Sequence, residues 1–182
     1  MMNYAKFIRT VLFLLIVSVT GLSAQKSSFI VLGDMHYDLL EDHDMDWLAT
    51  KPDDLRQVTK EYTVYTEKYW DDFMAVLRDK ALTTKPAVKA IVQVGDLSEG
   101  LAGNPDKARQ MASNTMKALE DANMPVPWVI AKGNHDVTGP GAPEAFTEFS
   151  VPMFSTQTGT ADIKNASYSY KFDNVQIPLI DP

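Results

Sequence analysis

Three short stretches of the chain hold side chains suited to binding metal ions and moving protons. They are Gly33-Asp34-Met35-His36, Gly95-Asp96 and Gly133-Asn134-His135-Asp136. Together they offer carboxylate, amide and imidazole donors without sulfur, a set that suits Mn²⁺, Fe or Zn²⁺. Asp34 and His36, two residues apart, can reach one ion from a single turn. The two oxygens of Asp96 could bridge two ions, and Asn134 offers a neutral oxygen to the second. Two ions about 3.5–4 Å apart would clamp a phosphate and acidify a bridging water for in-line attack. His135 could then protonate a leaving alkoxide, with Asp136 holding its ring and favouring the imidazolium. Taken singly, each stretch also fits ordinary turn chemistry, because glycine, asparagine and aspartate are common turn residues. Their shared setting favours the metal reading, since each closes an apolar run.

Those runs span residues 29–32, 91–94 and 126–131. Short runs that are apolar on both faces predict central strands of a sheet covered on both sides. Between the first two, Leu55, Val58, Tyr62, Tyr65, Tyr69, Phe73, Val76 and Leu77 recur at three- and four-residue steps. That spacing predicts one amphipathic helix or two. A second helix is predicted from Pro105 onward, with Ala108, Met111, Met116 and Leu119 on its apolar side. The order strand, helix, strand, helix, strand predicts an α/β fold with right-handed crossovers. Ligands of such sheets sit beyond the carboxyl ends of the strands. Parallel neighbours would therefore bring Asp34, His36, Asp96, Asn134, His135 and Asp136 to one crevice. Near the end, Tyr168, Tyr170 and Phe172 alternate before Asp173-Asn174, which predicts an antiparallel hairpin.

Other conspicuous residues have plainer readings. Tyr62, Tyr65, Tyr69 and Trp70 resemble an aromatic ligand box, but their helical period favours core packing. Residues 41–47 place Asp42, Asp44 and Asp46 in alternation. An EF-hand loop needs glycine sixth, where Trp47 stands. The segment is therefore predicted to be a solvated acidic loop, with His43 at the surface. Tyr37 and Asp38 follow His36 directly and are either supports for the cluster or plain loop. Asn165-Ala166-Ser167 matches a glycosylation acceptor, a pattern frequent by chance.

Composition narrows the class. At 182 residues the chain is long enough for one domain with a proper core. The net charge of −7 lacks the basic footprint expected of a nucleic-acid binder. With no cysteine, disulfides, thiolate zinc sites and a cysteine nucleophile are all excluded. The first residues are basic at Lys6 and Arg9, then purely apolar apart from Ser18, then small and polar. This layout predicts a secretory signal over residues 1–24, cleaved after Ala24, and a periplasmic or secreted protein. The apolar centre is too short for a comfortable membrane span, so no stable span is expected after cleavage. Removing Lys6 and Arg9 from 17 basic residues leaves 15 against 24 acidic ones, a charge of −9.

Asp34-x-His36, Gly95-Asp96 and Gly133-Asn134-His135-Asp136 resemble the first three signature motifs of the calcineurin-like metallophosphoesterases. The resemblance runs from about Phe29 to Asp181. It implies a sandwich of mixed β-sheets flanked by helices, with a dinuclear metal centre at the strand ends. It also implies hydrolysis of a phosphomonoester or phosphodiester by a metal-bound hydroxide. By that likeness Asp34 and His36 bind the first divalent ion, Asp96 bridges, Asn134 binds the second, His135 donates the proton and Asp136 orients it. His36 sets the chain apart from purple acid phosphatases, and Gly95-Asp96-Leu97-Ser98-Glu99-Gly100 lacks the Asp-Arg-Gly ending of protein serine/threonine phosphatases.

The likeness stops short of the family's later motifs, a further histidine and a Gly-His-x-His. The three histidines here are His36, His43 and His135. The expectation is that residues 25–182 are the N-terminal part of such a domain, without its C-terminal half. The second ion would then rest on Asp96 and Asn134 alone, oxygen donors that hold a transition metal loosely. The alternative is a non-catalytic metal- or phosphate-binding module, or a degenerate fragment.

Overall fold

The computed structural model describes residues 26–161, 163 and 166–180, so the predicted signal segment and Asn165 lie outside the described residues. Strands β1 (Ser28–Leu32), β2 (Val88–Gln93) and β3 (Trp128–Ile130) form a parallel sheet in the order β1-β2-β3. Register pairs Ile30 with Ile91 and Ile91 with Trp128, so the three strands end near one level. Most of β2 and all of β3 are buried, as runs apolar on both faces require. β1 differs: Ile30 and Leu32 pack on the core, while Phe29 and Val31 are 44% and 54% exposed. It is an edge strand among the described residues, and one of its faces is uncovered.

Helix α1 (Met45–Leu48) is short. Helix α2 (Pro52–Gln57) runs through a π turn (Val58–Tyr62) into α3 (Thr63–Thr83). Helix α4 (Pro105–Asp121) starts where the Asn104 side chain accepts from the Lys107 amide, with Pro105 in the first turn. Helices α5 (Ala142–Ala145) and α6 (Val151–Thr158) follow, joined by a second π turn. Met74 and Leu77 of α3, Met116 and Leu119 of α4, and Phe154 of α6 share one core with β2 and β3. Among the described residues no helix is long and apolar enough to cross a membrane.

The core reading of the tyrosines does not hold throughout. In α3 the buried positions are Thr63, Thr66, Met74, Leu77 and Ala81. Tyr65, Tyr69, Phe73 and Val76 lie on a neighbouring stripe, 57%, 48%, 40% and 58% exposed. The cause is the π turn. Its extra residue advances the phase of an α-helix by about 100°. Apolar positions on either side of it therefore no longer face the same way.

The predicted hairpin is present as β4 (Tyr168–Phe172) and β5 (Val175–Leu179), turning at Asp173 with φ 49°. Tyr168, Phe172 and Leu179 join the main core. The Tyr168 hydroxyl donates to the Ile130 carbonyl and accepts from the Ile130 amide, both at 2.8 Å. It thereby completes the hydrogen bonding of β3 at that residue. Burial, opposed by the bond from the Ile130 amide, pushes the phenol up to about 12. Tyr168→Phe strands two buried backbone groups and is expected to cost about 1–3 kcal/mol in urea unfolding. An unchanged unfolding midpoint would contradict that role.

Residues 40–48 are not a solvated loop. They form a 3-10 turn (Leu40–Asp42) followed by α1, and Asp38, Asp42 and His43 are all buried. Burial of polar groups requires partners, and distant residues supply them. Asn114 donates to Asp42 Oδ1 at 2.8 Å, His43 Nδ1 donates to the Leu101 carbonyl at 3.1 Å, and His43 Nε2 meets Asp38 Oδ1 at 2.7 Å. Among the described residues the second carboxylate oxygens of Asp38 and Asp42 have no hydrogen-bond partner. Burial pushes Asp42 up to about 6, against the Asn114 bond. An unfolded aspartate titrates near ~3.9, so between about 4 and 6 the folded state holds a proton that the unfolded state releases. Stability therefore falls as pH rises through that window. Asp42→Asn removes the charge and is expected to raise stability at pH 7.5 by about 1–3 kcal/mol. It should also flatten the dependence between about pH 4 and 6 in thermal unfolding series. A variant as pH-sensitive as wild type would contradict this.

Candidate metal centre

The loops leaving β1 and β2 run on side by side. The amides of Asp34, His36 and Tyr37 donate to the carbonyls of Gly95, Asp96 and Leu97 at 3.3, 3.1 and 2.8 Å. Buried Gln93 brackets the turn, donating to the Gly95 carbonyl and accepting from its amide. The first two motifs are thus held in register by backbone pairing. Asp34, His36 and Asp96 all take left-handed backbone conformations, with φ 49°, 44° and 55°. Such conformations cost non-glycine residues energy and cluster at functional sites.

The third motif crosses over the second. His135–Val137 form a 3-10 turn, and the His135 amide donates to Asp96 Oδ1 at 2.8 Å. A Cβ at position 133 would lie 2.1 Å from both the amide nitrogen and Oδ1 of Asp96, so only glycine fits there. A Cβ at position 100 would come within 2.2 Å of the His135 carbonyl oxygen, which fixes Gly100 in the same way.

Donor atoms of His36, Asp96 and His135 lie within 4.8 Å of one another. The two imidazole rings are 4.7 Å apart at 80°. Asp34 lines a cavity with His36 and a second one with Asp96 and Asn134, so it stands between the two groups. All six residues singled out by the sequence therefore come from adjoining loops, although the carboxylates of Asp34 and Asp136 are outside the tightest donor group. Asp136 has a different place from the one expected. Its Oδ1 accepts from the Ser98 amide and hydroxyl, and its Oδ2 from the Gly133 amide. Its two oxygens tie the loops after β2 and β3 together. Burial pushes its carboxyl up, against these bonds.

The group that meets the His135 ring is one the motifs did not single out. Glu99 is fully buried, with Oε2 2.6 Å from His36 Nδ1 and Oε1 3.4 Å from His135 Nδ1. The His135 Nδ1–H donates to the Glu99 backbone carbonyl at 3.0 Å. Glu99 thus bonds His36 through its carboxylate and His135 through its backbone carbonyl, and among the described residues its Oε1 has no hydrogen-bond partner. The available clue was an acidic residue three places after Asp96 in a loop that closes a buried strand. Burial works against a charge on His36, but the bond to Glu99 and the charges of Glu99, Asp96 and Asp34 outweigh it and hold the imidazole above its ordinary value.

These features fit a divalent cation. The donors are imidazole and carboxylate, suited to a transition ion. With Nδ1 bonded to a carboxylate, His36 presents Nε2 as the free donor, and such an outer carboxylate orients a ligating ring and raises its basicity. A sequence model of the calcineurin-like phosphoesterases matches residues 27–177 of the chain. No curated protein matches it significantly.

Proposed function

The chain belongs to the calcineurin-like phosphoesterase family, and from that premise we propose that it hydrolyses phosphate esters using divalent metal ions held by Asp34, His36, Asp96 and Asn134. The observation that carries this reading is the meeting of His36, Asp96 and His135 donors from three separate loops. Asp34 and His36 would hold one ion, Asp96 would be shared, and Asn134 would serve a second. Bound there, Mn, Fe or Zn ions would supply Lewis-acid charge on the phosphate and a source of hydroxide at neutral pH.

The protein's own groups do the rest. The Glu99 carboxylate accepts a hydrogen bond from His36 Nδ1–H and so fixes which nitrogen faces a metal. The Glu99 carbonyl accepts from the Nδ1–H of His135, leaving Nε2 to give a proton to the departing oxygen. Asp136 positions the His135 loop through Ser98 and Gly133 and does not act on the ring. Residues 25–182 are proposed to carry this centre, and the signal-like segment 1–24 to direct it to the periplasm or outside the cell.

His135→Ala tests the proton donor. With Mn²⁺ present, the variant should lose about 10²–10⁴-fold on an alkyl phosphate and much less on an activated nitrophenyl ester. Its bound Mn²⁺ should be unchanged. Equal losses on both esters would remove the general-acid role, and loss of the metal would make His135 a ligand instead.

A further inference from the structure

We propose that the cavity beside Asp34 and His36 is a subsite for a flat aromatic group carried by the substrate ester. This rests on the phosphoesterase reading and names the class of substrate. The cavity holds about 320 Å³ and is lined by Asp34, His36, Tyr62, Tyr65, Tyr69 and Phe73, among others. That volume is at the low end for small-molecule sites, roughly 300–1,000 Å³. It suits a ring system.

Position ties the cavity to the reaction. A phosphate bound through ions on Asp34 and His36 would stand at one end of the cavity, leaving the remaining wall for the group esterified to it. That wall begins at the centre itself, where the Tyr62 ring stacks on the His36 ring at 4.7 Å and 19°. Tyr62 closes the π turn, a feature that frequently marks functional sites. One helical turn on, Tyr65 and Tyr69 stand with ring centroids 6.3 Å apart, and Phe73 follows four residues after Tyr69 on the same helix. The π turn thus takes these rings off the buried stripe and lays them along the cavity.

The chemistry of the wall selects its occupant. Among the described residues that line the cavity there is no lysine or arginine, and Asp34 and His36 stand at the metal end. Lys68 sits over the Tyr69 ring at 4.9 Å and is not a lining residue. A second phosphate or a carboxylate would meet no lining cation. A saturated chain would gain burial but no stacking, whereas a planar π system gains both.

The test separates planarity from size and uses no turnover. Benzylphosphonate and cyclohexylmethylphosphonate share connectivity and resist hydrolysis. Calorimetric titration of the Mn²⁺-loaded chain should show the benzyl compound binding about three- to tenfold more tightly. In Tyr65→Ser/Tyr69→Ser, both positions being about half exposed, the preference should vanish, because the benzyl compound loses stacking as well as burial and the cyclohexylmethyl compound loses burial alone. Equal Mn²⁺-dependent binding of the two compounds to wild type overturns the subsite and leaves the phosphoesterase reading intact. A preference that survives the double substitution also overturns it. No Mn²⁺-dependent binding of either compound overturns both.

Discussion

Asp96→Asn is expected to lower metal-dependent ester hydrolysis by about two to four orders of magnitude, with little change in folding. Asp96 is the one carboxylate in the tightest donor group, so its charge is what the two neighbouring imidazoles lack. Its Oδ1 also accepts from the His135 amide at 2.8 Å, and its carbonyl accepts from the His36 amide at 3.1 Å. Asparagine keeps the side-chain shape and one oxygen, so the amide bond and the close passage of Gly133 survive. It loses the negative charge and the second oxygen, and an amide nitrogen does not ligate a divalent ion. Steady-state rates and Mn²⁺ content, measured beside a thermal unfolding curve, separate the two contributions. Near-normal turnover would remove Asp96 from the centre. Collapse of the fold would show that its main role is structural.

Glu99→Gln should weaken Mn²⁺ binding by about 10–100-fold and lower turnover to match. The carboxylate is wholly buried and closes a short bond to His36 Nδ1. Glutamine can still accept from that ring through its carbonyl. Its amide group would then take the place of Oε1, facing the His135 Nδ1 at 3.4 Å and presenting one donor to another. Loss of the charge makes His36 a poorer base and so a poorer ligand. Calorimetric titration with Mn²⁺ reads this directly. A role in packing alone would shift the melting temperature and leave metal affinity unchanged, and that result would contradict the assignment.

The candidate centre was legible in sequence because the residues proposed as ligands sit where strands must stop. Glycine followed by a polar residue at the end of an apolar run locates each loop, and the alternation of strands and helices places the loops side by side. The hairpin was legible for a similar local reason, since alternation and the Asp173-Asn174 turn lie within a dozen residues. What could not be read depends on distant partners. Glu99 becomes a support only when its loop packs on His36, 63 positions away in the chain. Asp42 and His43 are buried because Asn114 and Leu101, 72 and 58 positions away, satisfy them. In sequence the same residues look like a wet acidic loop. Adjacency makes Asp136 the visible candidate for orienting His135, whereas the bond from the His135 ring to the Glu99 carbonyl depends on the fold of residues 97–101. The tyrosines show a subtler failure. Their three- and four-residue spacing is helical, but one π turn shifts its phase and moves them from the core to the wall of a cavity.

Metal-dependent turnover itself is the most direct test. The chain is titrated with Mn²⁺ while bound metal and hydrolysis of nitrophenyl phosphate mono- and diesters are followed together. Hydrolysis should rise with occupancy, stop on chelation and be nearly absent in Asp96→Asn. Stoichiometric metal binding without hydrolysis, or hydrolysis indifferent to chelation, would contradict a metal-dependent phosphoesterase centre at Asp34, His36, Asp96 and Asn134.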